Sequence, residues 1–204
     1  MLTYLLFGVS YAFAAAVQPG PLQAYLIAQT LRHGWRRALP AAFSPLLSDG
    51  PIIVLVLLVL SRIPAILVLA LRAAGGVLLL VLAVGAYRAW RRWTPEAAPP
   101  ATSGSRSLLG ATLVNLLNPG PYLGWTLVMG PLLLKGWHEA PAHAVALLVA
   151  FYGTMVGSMV ALILLVGTAR RLGPRANHQM LGLSALALAA LGVFLLASVA
   201  LGLR

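Results

Sequence analysis

Long apolar runs, separated by short gaps rich in arginine, dominate this chain. A membrane-spanning helix needs roughly 20 consecutive, mostly apolar residues. Six stretches meet that length: 4–30, 39–60, 65–87, 108–134, 142–166 and 179–203. Their polar residues are few and scattered, which is the pattern of helices surrounded by lipid rather than by water. The pattern predicts an all-α integral membrane protein with six transmembrane helices.

Basic residues fall unevenly among the gaps. Arg32, Arg36 and Arg37 lie in the first gap. The third holds Arg88, Arg91, Arg92 and Arg106, and the fifth Arg170, Arg171 and Arg175. The opposite side has only Arg62, Lys135 and Arg204. Loops rich in Arg and Lys stay in the cytoplasm. That rule predicts cytoplasmic odd-numbered loops and both termini outside. Residues 2–17 are apolar and Ala12-Phe13-Ala14 resembles a processing site, but no Lys or Arg precedes them, as a signal peptide requires.

The longest gap, 88–107, contains Pro95, Pro99, Pro100, Ser103, Gly104 and Ser105 and reads as a flexible linker. It begins with Tyr87-Arg88-Ala89-Trp90-Arg91-Arg92-Trp93, an interfacial anchor of aromatics and cations. It divides one membrane domain into a first three-helix repeat (1–93), the linker (94–107) and a second repeat (108–204).

The halves carry a common signature. Gln18-Pro19-Gly20-Pro21 lies near the middle of the first segment and Asn118-Pro119-Gly120-Pro121 near the middle of the fourth. Tyr25 and Trp125 follow at one offset, and Gly34-Trp35 and Gly136-Trp137 follow with a two-residue slip. Because each half has three helices, the second must enter the membrane in the opposite sense. The prediction is therefore two inverted three-helix repeats with helices 1 and 4 broken. Proline removes a backbone donor and clashes with the preceding turn, so a Pro-Gly-Pro run breaks a helix. Inside a bilayer the freed backbone groups must be buried in protein or line a wet cavity. A half-helix starting near Pro21 or Pro121 presents free N–H groups and the positive end of its dipole, which suits a carboxylate. Asn118 is the better N-cap and Gln18 the poorer.

Composition narrows the chemistry. The chain is 61% hydrophobic and 8% charged, with a net charge of +11 and a mean hydropathy of +0.94. Soluble domains are about 25% charged. The positive charge sits between apolar runs, which fits anionic lipid headgroups rather than nucleic acid. There is no cysteine, so disulfide and thiolate chemistry are excluded. Asp49, Glu96 and Glu139 are the only acids. Asp49 falls within the second segment, where a carboxylate is costly and by default functional. It suits a substrate ammonium or a transferable proton. A local cap in Ser48-Asp49-Gly50-Pro51, on a helix broken by Pro45 and Pro51, is the other reading. Gln23, Gln29, Ser48 and Asn115 are further candidates for polar contacts. Gly75-Gly76 and Gly153-x-x-x-Gly157 suit close helix packing. His33, His138, His143 and His178 lack metal-ligand spacing, and no catalytic constellation or phosphate loop points to an enzyme or to a cofactor.

Pro19-Gly20-Pro21, Asp49 and Asn115-x-x-Asn118-Pro119-Gly120 together resemble the LysE/RhtB family of amino-acid exporters, over essentially the whole chain. This chain has Asn-Pro-Gly where many members have Asn-Pro-Lys. The resemblance implies efflux of amino acids or related small metabolites, coupled to the proton-motive force, at the bacterial inner membrane, with a homodimer as the assembly to look for. The expected substrate site comprises Gln18, Pro19, Gly20, Pro21, Asp49, Asn115, Asn118, Pro119, Gly120 and Pro121, with Asp49 also the proton-coupling group. The alternatives are an ion or metal exporter of the same superfamily, or a non-transporting assembly or lipid-handling protein.

Overall fold

The computed structural model describes residues 1–18, 20–59, 65–92, 104–169 and 174–201. Every element among them is helical. Leu2–Val17 (α1) is followed by Pro21–His33 (α2), with a 63° bend between them. Trp35–Ala38 (α3) and a 3₁₀ stretch, Leu39–Phe43, lead into Ser44–Val59 (α4). Ala65–Arg91 (α5) ends the first half. The second half comprises Gly104–Leu116 (α6), Pro119–Gly124 (α7), a π-helical turn at Trp125–Met129 and Gly130–Glu139 (α8), then Pro141–Ala169 (α9) and Pro174–Ala200 (α10).

Among the described residues, four helical stretches are long and apolar enough to cross a membrane: Trp35–Val56, Leu69–Arg91, Pro141–Thr168 and His178–Ala200. Counted as one broken span, the bent pair α1–α2 would be a fifth. The fourth expected segment, 108–134, is divided among α6, α7, the π turn and α8, and no one piece has the length of a span. The linker 94–107 lies mostly outside the described residues; only its end is described, as the first turn of α6. Pro19, Arg62, Glu96, Arg170, Arg171 and Arg204 also lie outside them.

Packing exchanges elements between the halves. α1 lies along α9, and α6 lies along the 3₁₀ stretch and α4. α5 pairs with α10, and α2 also reaches α10 while α7 touches α5. Lipid tails are as apolar as leucine, so such helices associate through close van der Waals fit and not through expulsion of water. Small residues provide that fit. A Cβ on Gly75 would lie 2.7 Å from the Leu117 carbonyl, and one on Gly76 2.8 Å from Leu196. Gly8 is equally tight against Leu147 and Ala150. Large apolar side chains cover the outside, among them Leu165 at 69% and Leu127 at 70% exposure, as a lipid-facing surface requires.

Three expectations are corrected. Gly153 and Gly157 face open space, so that motif makes no close helix contact here. The two Gly-Trp pairs are not equivalent: Gly34 ends α2 with a φ of 84°, whereas Gly136 lies inside α8 against Tyr4 and Ala144. α4 is not broken at Pro45 or Pro51; Pro45 occupies its first turn and Pro51 is carried within it. Proline is tolerated at a helix start because the missing N–H would be unpaired there anyway. Within a membrane helix, neighbouring elements can compensate for the bond it removes.

Polar contacts tie one end of α1 to the α8–α9 corner. Tyr4 donates to Glu139 at 2.9 Å, His143 Nδ1 lies 3.3 Å from the same carboxylate, and the Met1 amine is 3.1 Å from His143 Nε2. The Tyr4 hydrogen bond, with Lys135 and His143 nearby, holds the Glu139 carboxyl below its ordinary value. A depressed carboxyl stabilises the fold above its unfolded pKa and loses that contribution as pH falls through the folded one. Thermal stability of the detergent-solubilised protein is therefore expected to decline below about pH 4.5, and Glu139→Gln to flatten that decline. Separately, Gly75→Ala is expected to cost about 1–3 kcal/mol by overpacking, whereas Gly153→Ala leaves the unfolding temperature unchanged or slightly raised. Thermal unfolding of both variants checks this.

Candidate functional site

The residue before a proline is pushed out of the helical region into extended backbone. Gln18 (φ −61°, ψ 125°), Gly20 (φ −162°, ψ 179°) and Asn118 (φ −85°, ψ 123°) all obey this. The breaks are thus a property of the prolines; Gly20 needs no glycine-specific conformation. The second break differs from expectation, since its half-helix starts at Pro119 and not at Pro121.

Each break frees carbonyls at the end of the preceding helix, and a side chain meets them. Gln23 Nε2 donates to Ala15 O (3.2 Å) and Ala16 O (3.1 Å). Tyr122 donates to Leu116 O at 2.9 Å. The free N–H groups are treated unequally. Asn118 Oδ1 accepts from the Gly120 amide at 3.1 Å, capping the second half-helix. No side chain caps α2, which begins at Gly20-Pro21.

The two breaks meet at one cavity of about 230 Å³. Of the expected site residues, Gln18, Gly20, Pro21, Asp49, Asn115, Asn118, Gly120 and Pro121 line it. Pro119 is buried and is not part of the lining, and Pro19 is outside the described residues. Gln23 also lines it, but Gln29 lies elsewhere, beside Ser107 and away from the cavity.

Asp49 is 4% exposed and points across the bundle, so it is not a local cap. Its Oδ2 accepts from Trp125 Nε1 and from the Tyr152 hydroxyl, each at 3.3 Å. Its Oδ1 lies 3.4 Å from Asn115 Nδ2 and 3.5 Å from Ser48 Oγ. Asn115 also donates to Ser48 Oγ at 2.7 Å, and Ser48 to the Ser44 carbonyl at 3.0 Å. Elements α4, α6, the π turn and α9 therefore converge on one carboxylate. Neutral donors alone surround it: among the described lining residues Asp49 is the sole charged one. A buried carboxylate without a cation is unfavourable and will take either a proton or a positively charged partner.

The lining also carries apolar and aromatic side chains: Tyr11, Phe151, Met129, Met155 and Met159. Tyr11 comes close to α7 because Gly124 offers no Cβ; one there would lie 2.6 Å from the Tyr11 hydroxyl. The π turn places Trp125 in the lining, and its N–H from Gly130 reaches back to Trp125 O. Such turns recur at functional sites. Sequence reading marked Trp125 only as a repeat feature and passed over Tyr152. The available signal for Tyr152 was a phenol within an otherwise apolar span, which needs a partner there.

Broken helices, a buried carboxylate and a cavity between them, inside a chain covered by apolar helices, define a multi-pass membrane transporter. The chain belongs to the LysE type translocator family, whose model matches residues 13–199. The family's members are transporters, and the chain is accordingly a membrane exporter of small molecules. No match was found among the curated proteins or among the solved structures.

Replacing Gln23 by Leu or Tyr122 by Phe orphans partly buried carbonyls. Each substitution is expected to destabilise the protein by about 1–3 kcal/mol, read as an earlier midpoint in denaturing-detergent titrations followed by tryptophan fluorescence.

Proposed function

We propose that this protein exports an amino acid in exchange for protons, using two inverted three-helix repeats around the cavity. The repeat reading is supported by the reciprocal packing: α1 of the first half lies on α9 of the second, as α6 of the second lies on α4 of the first. The excess of arginine in the odd-numbered loops supports a cytoplasmic position for them in a bacterial cell, with both termini outside.

One observation carries the substrate reading: a buried carboxylate, unmatched by any cation in the described lining, stands in a cavity that also holds an uncapped helix N-terminus. The substrate ammonium pairs with Asp49. Its carboxylate meets the N–H groups at the start of α2, where no side chain competes. Because Asn118 already occupies the Gly120 amide, the anion site belongs to the first break and not equally to both. The methionines and aromatics of the lining accept an apolar side chain, since thioethers adapt to varied shapes. Proton and ammonium compete for Asp49, so protonation from outside releases substrate there, and proton loss to the cytoplasm readies the site again. Asp49 is the sole acid in the described lining, and no cluster of three His, Cys, Asp or Glu side chains stands with it among the described residues, which is a poor match to a divalent metal.

The test is uptake of a labelled amino-acid panel into inside-out proteoliposomes with an acidic lumen, wild type beside Asp49→Asn. At least one amino acid with an apolar side chain is expected to accumulate, and Asp49→Asn to lower that accumulation by at least about tenfold, an effect of ~1.4 kcal/mol. Folded protein that moves no amino acid, or an Asp49→Asn variant with wild-type accumulation, overturns the proposal.

A further inference from the structure

A second cavity lies outside the bundle, between α5 and α10, far in character from the first. Its volume is about 610 Å³, and its lining is almost wholly apolar. Ala83, Gly182, Ala185 and Ala189 leave the space; Leu80 and Val84 flank it. The helices run antiparallel, because the end of α5 meets the start of α10. Trp90 stacks on His178 with centroids 5.2 Å apart, and a Cβ on Gly182 would lie 3.0 Å from Trp90 Nε1. Towards the other end, Leu80 closes against Gly192.

The length of the groove is informative. From Leu80 to Trp90 is ten residues, or about 15 Å at 1.5 Å per residue. That is about half of the ~30 Å hydrocarbon core, the depth of a single leaflet. The end of the groove carries Tyr87 and Trp90, residues that sit at headgroup level. Beyond them come exposed cations. Arg91 is four residues past Tyr87, on the stripe of α5 that lines the groove, and Arg175 is seven residues ahead of Gly182, on the matching stripe of α10. Arg88 and Arg92 are exposed beside them. An apolar slot one leaflet deep, an aromatic collar and a cationic mouth form a continuous sequence from hydrocarbon to headgroup.

We infer that the α5–α10 groove binds an anionic phospholipid, with an acyl chain in the slot and its phosphate between Arg91 and Arg175. The lipid fills space that helix packing leaves open and ties together the third helix of each half.

Native mass spectrometry of the full chain, with phosphatidylglycerol or phosphatidylcholine added in equal amounts, tests this. Wild type is expected to retain phosphatidylglycerol at least fivefold more than phosphatidylcholine. Arg91→Gln/Arg175→Gln, both at exposed positions, should remove that preference, whereas Arg36→Gln/Arg37→Gln, with the same loss of charge elsewhere, should keep it. Ala189→Trp, which fills the slot, should reduce retention of both lipids, with folding checked by circular dichroism. Equal retention of the two lipids by wild type overturns the inference, as does equal loss in both arginine pairs or undiminished retention by Ala189→Trp. The chain has no cysteine, so Leu186→Cys gives a clean test of the rival occupant. Efficient disulfide-linked dimers at that position would show a second copy of the chain in the groove, and would also overturn it.

Discussion

A backbone amide or carbonyl in hydrocarbon has no water to bond, and the rest of this structure follows from how the chain meets that constraint at two places where prolines break its helices. Gln23 reaches back to the carbonyls of Ala15 and Ala16, and Tyr122 to that of Leu116. With those acceptors satisfied by side chains, the breaks can be held inside the bundle. The gap they leave becomes a cavity whose walls carry backbone polarity. A pair of unbroken helices would fill the same volume with side chains.

Asp49 adds a charge to that cavity without adding its opposite. Trp125, Tyr152 and Asn115 hold the carboxylate by neutral donors from three other elements, with the Ser48 hydroxyl beside it on α4. Such donors orient an ion and soften its desolvation, but they do not neutralise it. The missing positive charge is the chemical opening through which a proton or a cationic solute can act. A small molecule exporter needs a site of this kind, where cargo binds well enough to be selected and weakly enough to leave.

The exterior follows a different logic. Where lipid is the solvent, close approach of helices depends on glycine and alanine, as at Gly75-Gly76 against Leu117 and Leu196. Small residues on a lipid-facing seam can also leave a vacancy, and between α5 and α10 that vacancy has the depth of one leaflet and arginines at its mouth. Gly153 and Gly157 show the converse, for their spacing suits helix contact yet they face open space.

Hydrophobic runs, arginine-rich gaps, the two Pro-Gly-Pro breaks and the intramembrane acid were all legible along the chain, because each is a local property. Two prolines around a glycine strip a helix of donors and push the preceding residues into extended backbone, and a carboxylate is costly in any lipid environment. Tertiary structure alone decided what those features face. Spacing could not show that Gly34 and Gly136 play different parts, or that Pro51 continues a helix instead of ending it. Above all, Trp125 and Tyr152 lie 76 and 103 residues from Asp49 in the chain. Hydrogen bonds require contact in space, and contact between distant residues is set by how whole helices pack, not by the order in which they are written.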